Sequence, residues 1–152
     1  MKDFKMAHIV SLPHLESTAN NHYHMCLAHL ALKDAAYADF YRCMSDEGKF
    51  VLMDNGAAEN CQLSLEQLLE AYNLVRPSEL VRMDTISNGE DTVRKTIESI
   101  DFFRKAGVTC RFMAVPQGQD IEEYMTCVNA LLKLPIDSLG ISKFLTITTG
   151  DP

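Results

Sequence analysis

The chain has no C-x-x-C pair, no Gly-x-Gly-x-x-Gly fingerprint, no P-loop, no signal peptide and no run of about 20 apolar residues. Each absence removes a class. Without the glycine-rich loops there is no sequence support for a nucleotide-phosphate cradle. Without a long apolar run there is no expected membrane span. The cysteines, at 26, 43, 61, 110 and 127, are odd in number, and several stand in apolar or helix-like runs. They read as reduced thiols of a cytoplasmic protein, not as a disulfide framework or a cysteine-rich zinc site. The Lys and Arg residues form no stripe, and the net charge of −7 opposes a surface adapted broadly to phosphate backbones. A local basic cleft remains compatible with that charge, so nucleic acid stays open as a transiently bound substrate. No repeat, low-complexity tract or linker interrupts residues 1–152, which read as one domain.

What is present is a regular punctuation. His8 to Leu12 is a short apolar run ended by Pro13 and is the expected first strand. From His22 to Met44 the spacing of Tyr23, Leu27, Leu30 and Ala31 predicts helix, continued by Tyr37, Phe40 and Tyr41 after Lys33-Asp34. Phe50 to Met53 reads as a buried strand. Ser64 with Gln67 three residues later forms a capping box, opening a helix that runs to about Arg76 and stops before Pro77. Leu80 to Met83 is the next strand, Asn88-Gly89 a turn, and Glu90 to Lys105 a helix closed by Gly107. Val108 to Val115 is a strand ended by Pro116, Ile121 to Lys133 a helix, and Ser138 to Ile141 a strand. Residues 144–148 fit strand or loop. Strands alternating with helices call for an α/β fold with a parallel sheet, buried on both faces. Periodicity leaves two architectures open, a doubly wound sheet and part of a barrel.

In parallel α/β folds ligands bind at the C-terminal ends of the strands. Asp54-Asn55-Gly56-Ala57 follows the strand at 50–53, Asp84-Thr85 the strand at 80–83, Pro116-Gln117-Gly118 the strand ending at Val115, and Ser142-Lys143 the last. Each aspartate alone is accounted for by capping the next helix or turn. Two carboxylates and an amide recurring at successive strand ends point instead to one cleft. Small neighbours such as Gly56, Ala57 and Gly118 leave room for a planar ligand. His24 and His29 stand five apart, whereas two zinc ligands on one helix face are spaced three or four apart. No metal is expected, and the histidines read as packing or polar contacts near the site. The eight methionines are scattered and read as core filling.

In these strand-end segments the sequence resembles the tRNA-guanine transglycosylase superfamily, most closely its short phage-type 7-deazaguanine transglycosylase-like members. The matching pieces run from His22-Tyr23-His24-Met25 with Ala28-His29-Leu30, through Phe50-Val51-Leu52-Met53-Asp54-Asn55-Gly56-Ala57 and Glu79-Leu80-Val81-Arg82-Met83-Asp84. They continue with Met113-Ala114-Val115-Pro116-Gln117-Gly118 and Leu139-Gly140-Ile141-Ser142-Lys143. The resemblance implies a (β/α)8-type architecture and exchange of guanine for a 7-deazaguanine such as preQ0 or preQ1 in tRNA or DNA, with no cofactor. It implies that Asp54 handles proton transfer and the base and that Asp84 accepts the purine N1–H and exocyclic amine. Gln117 with Gly118 would read the carbonyl, and the backbone of Gly140 and Ile141 would lie along the base. Asn55, Gly56, His24 and Lys143 are further candidates for the pocket wall.

The departures from the family are equally specific. The superfamily's nucleophile belongs to a later strand and loop than this sequence contains, and the surroundings of Asp151 do not match it. The matched segments correspond to about the first five of eight units, a partial TIM-type barrel. Such a set of units implies open strand edges and apolar surface, and hence self-association or completion by a C-terminal partner. Two alternatives stand beside base exchange: a non-catalytic module that binds or sequesters a modified base or nucleotide, and a structural or interaction subunit.

Overall fold

A computed structural model of the chain describes residues 5–61 and 63–141. Its five strands are β1 (Tyr23–Leu27), β2 (Phe50–Asp54), β3 (Glu79–Val81), β4 (Arg111–Ala114) and β5 (Ser138–Leu139). Its α-helices are α1 (Ala28–Lys33), α2 (Ala35–Asp46), α3 (Leu65–Val75), α4 (Gly89–Lys105) and α5 (Ile121–Leu131). The strands form one all-parallel sheet in the order β1-β2-β3-β4-β5. A doubly wound sheet reverses its strand order at a switch point. This order has no reversal, and consecutive strands joined by helices are the connectivity of successive (β/α)-barrel units.

Local chemistry explains where the helices begin. Asp34, Ser64, Asn88 and Asp120 each accept a backbone N–H of the first turn on a side-chain oxygen. Ser64 and Gln67 complete the expected capping box. The α3 helix ends on Arg76 in the left-handed region, at φ +53°, immediately before Pro77.

Two expectations are corrected. The run His8–Leu12 is no strand: Ile9 and Leu12 are exposed, and Pro13 opens a 3-10 helix over Leu12–Thr18. The first strand lies instead at Tyr23–Leu27, inside the stretch expected to be helix. Tyr23, Leu27, Leu30 and Ala31 have helical spacing by coincidence. Leu27 ends the strand and directly precedes α1, so no Gly, Pro or polar cluster marks the boundary.

By internal contacts the chain divides into two compact units, 1–56 with 61–80, and 57–60 with 81–152. In the first, α1, α2 and α3 pack on one another, and Val51 and Met53 are fully buried on one side of β2. Phe50 and Leu52 are only half-buried on the other side, where Phe50 stacks on Tyr23 with ring centroids 4.4 Å apart. Tyr37 sits in the helix-side core and its hydroxyl accepts the Leu27 N–H at 3.0 Å. In the second unit α4 packs on α5, and Ala114, Cys127 and Leu131 form the centre, flanked by Val93, Leu134, Ile136 and Leu139. Phe112 and Ala114 are buried along β4, while Met113 and Val115 are half-buried. Each unit therefore covers one side of its strands with helices and leaves the other side partly open.

Candidate functional site

In the first unit, Asp54 is the last residue of β2, half-buried, and its Oδ2 accepts the Gly56 N–H at 3.3 Å. That is a local Asx turn, which Asp forms readily. Asn55 is buried beside it. Gly56 has φ +82°, and a Cβ there would approach the Cys61 carbonyl to 2.9 Å and His29 Nδ1 to 3.0 Å. Both conditions favour glycine at this position over any larger residue. His24 lies near the start of β1, buried edge-on against Phe40 and Tyr41, with Nε2 2.9 Å from the Asn21 carbonyl. Burial lowers its pKa below the ordinary 6.5. This is the packing role that a histidine on an apolar face commonly fills.

In the second unit, two predicted residues meet. Gln117 Nε2 donates to Asp84 Oδ2 at 2.7 Å, and both side chains are buried, at 4% and 5% exposure. A buried amide-to-carboxylate bond of this length fixes the two side chains relative to one another.

Each end of that pair rests on a helix. Segment 83–85 is bound to α4 by two fully buried threonines. Thr96 Oγ1 donates to the Met83 carbonyl at 3.2 Å. Thr92 Oγ1 accepts the Thr85 N–H at 2.9 Å and donates to its carbonyl at 3.1 Å. The Thr85 hydroxyl donates to Asp91 Oδ2 at 2.5 Å and accepts from Lys95 Nζ at 2.7 Å. The Thr85 hydroxyl, with Arg94 and Lys95, holds the Asp91 carboxyl well below the usual carboxylate range. Asp84 therefore projects from a segment tied down on both sides.

The Gln117 segment lies flat on α5. A Cβ on Gly118 would overlap the Tyr124 backbone nitrogen, so only glycine allows this approach. A Cβ on Gly89, the first residue of α4, would come within 2.9 Å of the Gln117 carbonyl and 3.1 Å of Cys127 Cβ. Burial pushes the Cys127 thiol up, opposed by its hydrogen bond to the Gln117 backbone. Glu123 spans the gap: Oε1 accepts the Gly89 N–H at 2.7 Å and Oε2 the Gln119 N–H at 2.9 Å.

Arg82, just before this segment, is wholly buried, with its guanidinium 3.8 Å from the Phe112 ring centroid and 4.3 Å from that of Phe103. Burial pushes it down to about 10, still far enough above neutrality to keep it charged at pH 7.

Gly140 donates its N–H to the Ala114 carbonyl at 2.9 Å, and a Cβ on it would press on Val115 and Met113, near 3 Å from each. Ile141 follows, largely exposed. Lys143 and the segment 144–148 lie outside the described residues.

Sequence reading missed Thr92, Thr96 and Glu123. The threonines look like ordinary polar positions of an amphipathic helix. Glu123 had a signal, since Asp120-x-x-Glu123 is a capping box in which the glutamate normally returns to the N-cap N–H. Here Asp120 Oδ1 accepts the Glu123 N–H at 2.8 Å, but the Glu123 carboxylate goes to Gly89 and Gln119.

Among the described residues no group of three or more His, Cys, Asp and Glu is placed to hold a metal ion, and no helix is long and apolar enough to cross a membrane. Compared with known proteins, the chain matches no protein-family model and no curated protein.

Proposed function

We propose that the chain binds guanine or a 7-deazaguanine and takes part in base exchange of the transglycosylase type on tRNA or DNA. The observation that carries this reading is the buried Asp84–Gln117 pair. Guanine and its 7-deaza analogues present an N1–H and an exocyclic amine next to a carbonyl. Carboxylate oxygens accept both donors, and an amide N–H beside them serves the carbonyl. The pair holds that complement on a scaffold fixed by α4 and α5. A site of buried polar groups rejects bases lacking the matching edge, because a mismatched base leaves those groups unpaired.

Asp54, carried over from the family resemblance, is the reactive carboxylate of this reading. It stands half-buried at the C-terminal end of β2, the end at which parallel α/β folds bind their ligands. The half-open side of the strands and an exposed apolar stripe made by Ile121 and Met125 of α5 with Leu132 at its C-cap support self-association or a C-terminal partner chain.

Titration calorimetry with guanine, preQ0 and preQ1 tests the reading, and binding of at least one is expected. Asp84→Asn keeps the shape but replaces an acceptor with a donor, and affinity should fall by about 10- to 100-fold, the effect of losing a charged hydrogen bond. Failure of all three bases to bind ends the proposal. Binding without release of labelled guanine from tRNA or DNA would leave the non-catalytic binding module.

A further inference from the structure

We infer that Glu123 is a positioning residue that sets the geometry of the Asp84–Gln117 pair by clamping the two segments that carry it. The inference rests on the reading of that pair as a purine-edge receptor.

The carboxylate makes one bond to each side. Oε1 holds the N–H of Gly89, the first residue of α4, whose Thr92 and Thr96 fix the backbone around Asp84. Oε2 holds the N–H of Gln119, two residues beyond Gln117. The Gly89 N–H belongs to the first turn of α4 and the Gln119 N–H to the loop before α5, where a backbone donor has no intrahelical partner, and the one carboxylate satisfies both.

Steric fit reinforces the bonds. Gly89 faces the Gln117 carbonyl and Cys127, one turn beyond Glu123 on α5, and Gly118 lies on the Tyr124 backbone. The glutamate would be unnecessary for starting α5, because Asp120 already caps that helix. Its diversion from the N-cap to one amide at the start of α4 and one in the Gln117 loop is what marks it as a positioning group.

The test compares wild type, Glu123→Ala and Glu123→Gln by calorimetry with guanine and hypoxanthine. Hypoxanthine keeps the carbonyl and N1–H but lacks the exocyclic amine. It therefore reports whether Asp84 is still aimed at two donors. Glu123→Ala is expected to cost about tenfold or more in guanine affinity and much less for hypoxanthine, shrinking the preference between them. Glu123→Gln retains one acceptor and should fall between. A merely structural role would weaken both bases equally, and that result, or no change, overturns the inference.

Amide hydrogen exchange on the same proteins separates this inference from the functional reading. Gly89 and Gln119 should exchange about tenfold faster in Glu123→Ala, with β4 amides unchanged, whether or not any base binds. If wild type binds neither base, the receptor reading fails while the clamp stands on the exchange data. Unchanged exchange at both amides removes the clamp. Should the alanine variant not fold, Glu123→Gln carries both measurements.

Discussion

At the scale of single residues, the site is decided by small side chains as much as by charged ones. Gly118 lets the Gln117 segment rest on the first turn of α5, and there is no room for a methyl group between them. Gly118→Ala must therefore move either the segment or the helix. It is expected to destabilise the protein by about 2 kcal/mol or more, as overpacking in a close contact does. Urea unfolding checks the stability, and loss of guanine binding in the fraction that folds checks the link to Gln117. An unchanged midpoint would mean that the contact is looser than described. Asp84, Asp54 and Gln117 were legible from the sequence because polar residues after apolar strands are conspicuous. Their partners were not legible. Nothing about Gln117 in the chain indicates that it bonds to a carboxylate 33 positions earlier.

At the scale of elements, caps and strand ends behave as their residues require, and burial changes how side chains titrate. His24 lies under α2, against Phe40 and Tyr41. Because burial lowers its pKa in the folded state, the unfolded chain takes up a proton more readily below 6.5. The neutral imidazole's contribution is complete above that value and is lost as the pH falls through the depressed folded pKa. The urea midpoint of the wild type should consequently drop between pH 7 and pH 5, and His24→Leu should flatten that drop. An equal slope in both proteins would place His24 outside the core.

The same element shows why the first strand was misplaced. A five-residue strand running directly into a helix leaves too few residues for a period of 2 to stand out against 3.6. By contrast α3, α4 and α5 carry their own start signals in Ser64, Asn88 and Asp120, and their positions were legible within a few residues.

At the scale of the molecule, the unreversed strand order and the apolar groups left in view make one expectation about association. Ile121 and Met125 on α5 and Leu132 at its C-cap are each roughly half or more exposed, an arrangement uncommon for a face that meets only water. Light scattering on the purified chain is expected to give a mass at least twice 17.1 kDa, and Met125→Lys to shift it towards the monomer. A monomer at micromolar concentration would show that the stripe needs no second copy.

The sequence by itself determined that strands alternate with helices, that α3 starts at its capping box, and that polar residues collect after the strands. These follow from local period, capping and punctuation, which act over a few residues. Only the tertiary structure decided the order β1-β2-β3-β4-β5, the true first strand, and the pairing of Asp84 with Gln117. Strand order, pairing and the reach of Glu123 depend on which distant segments share a core. Burial and hydrogen-bond satisfaction settle that only once the chain is folded.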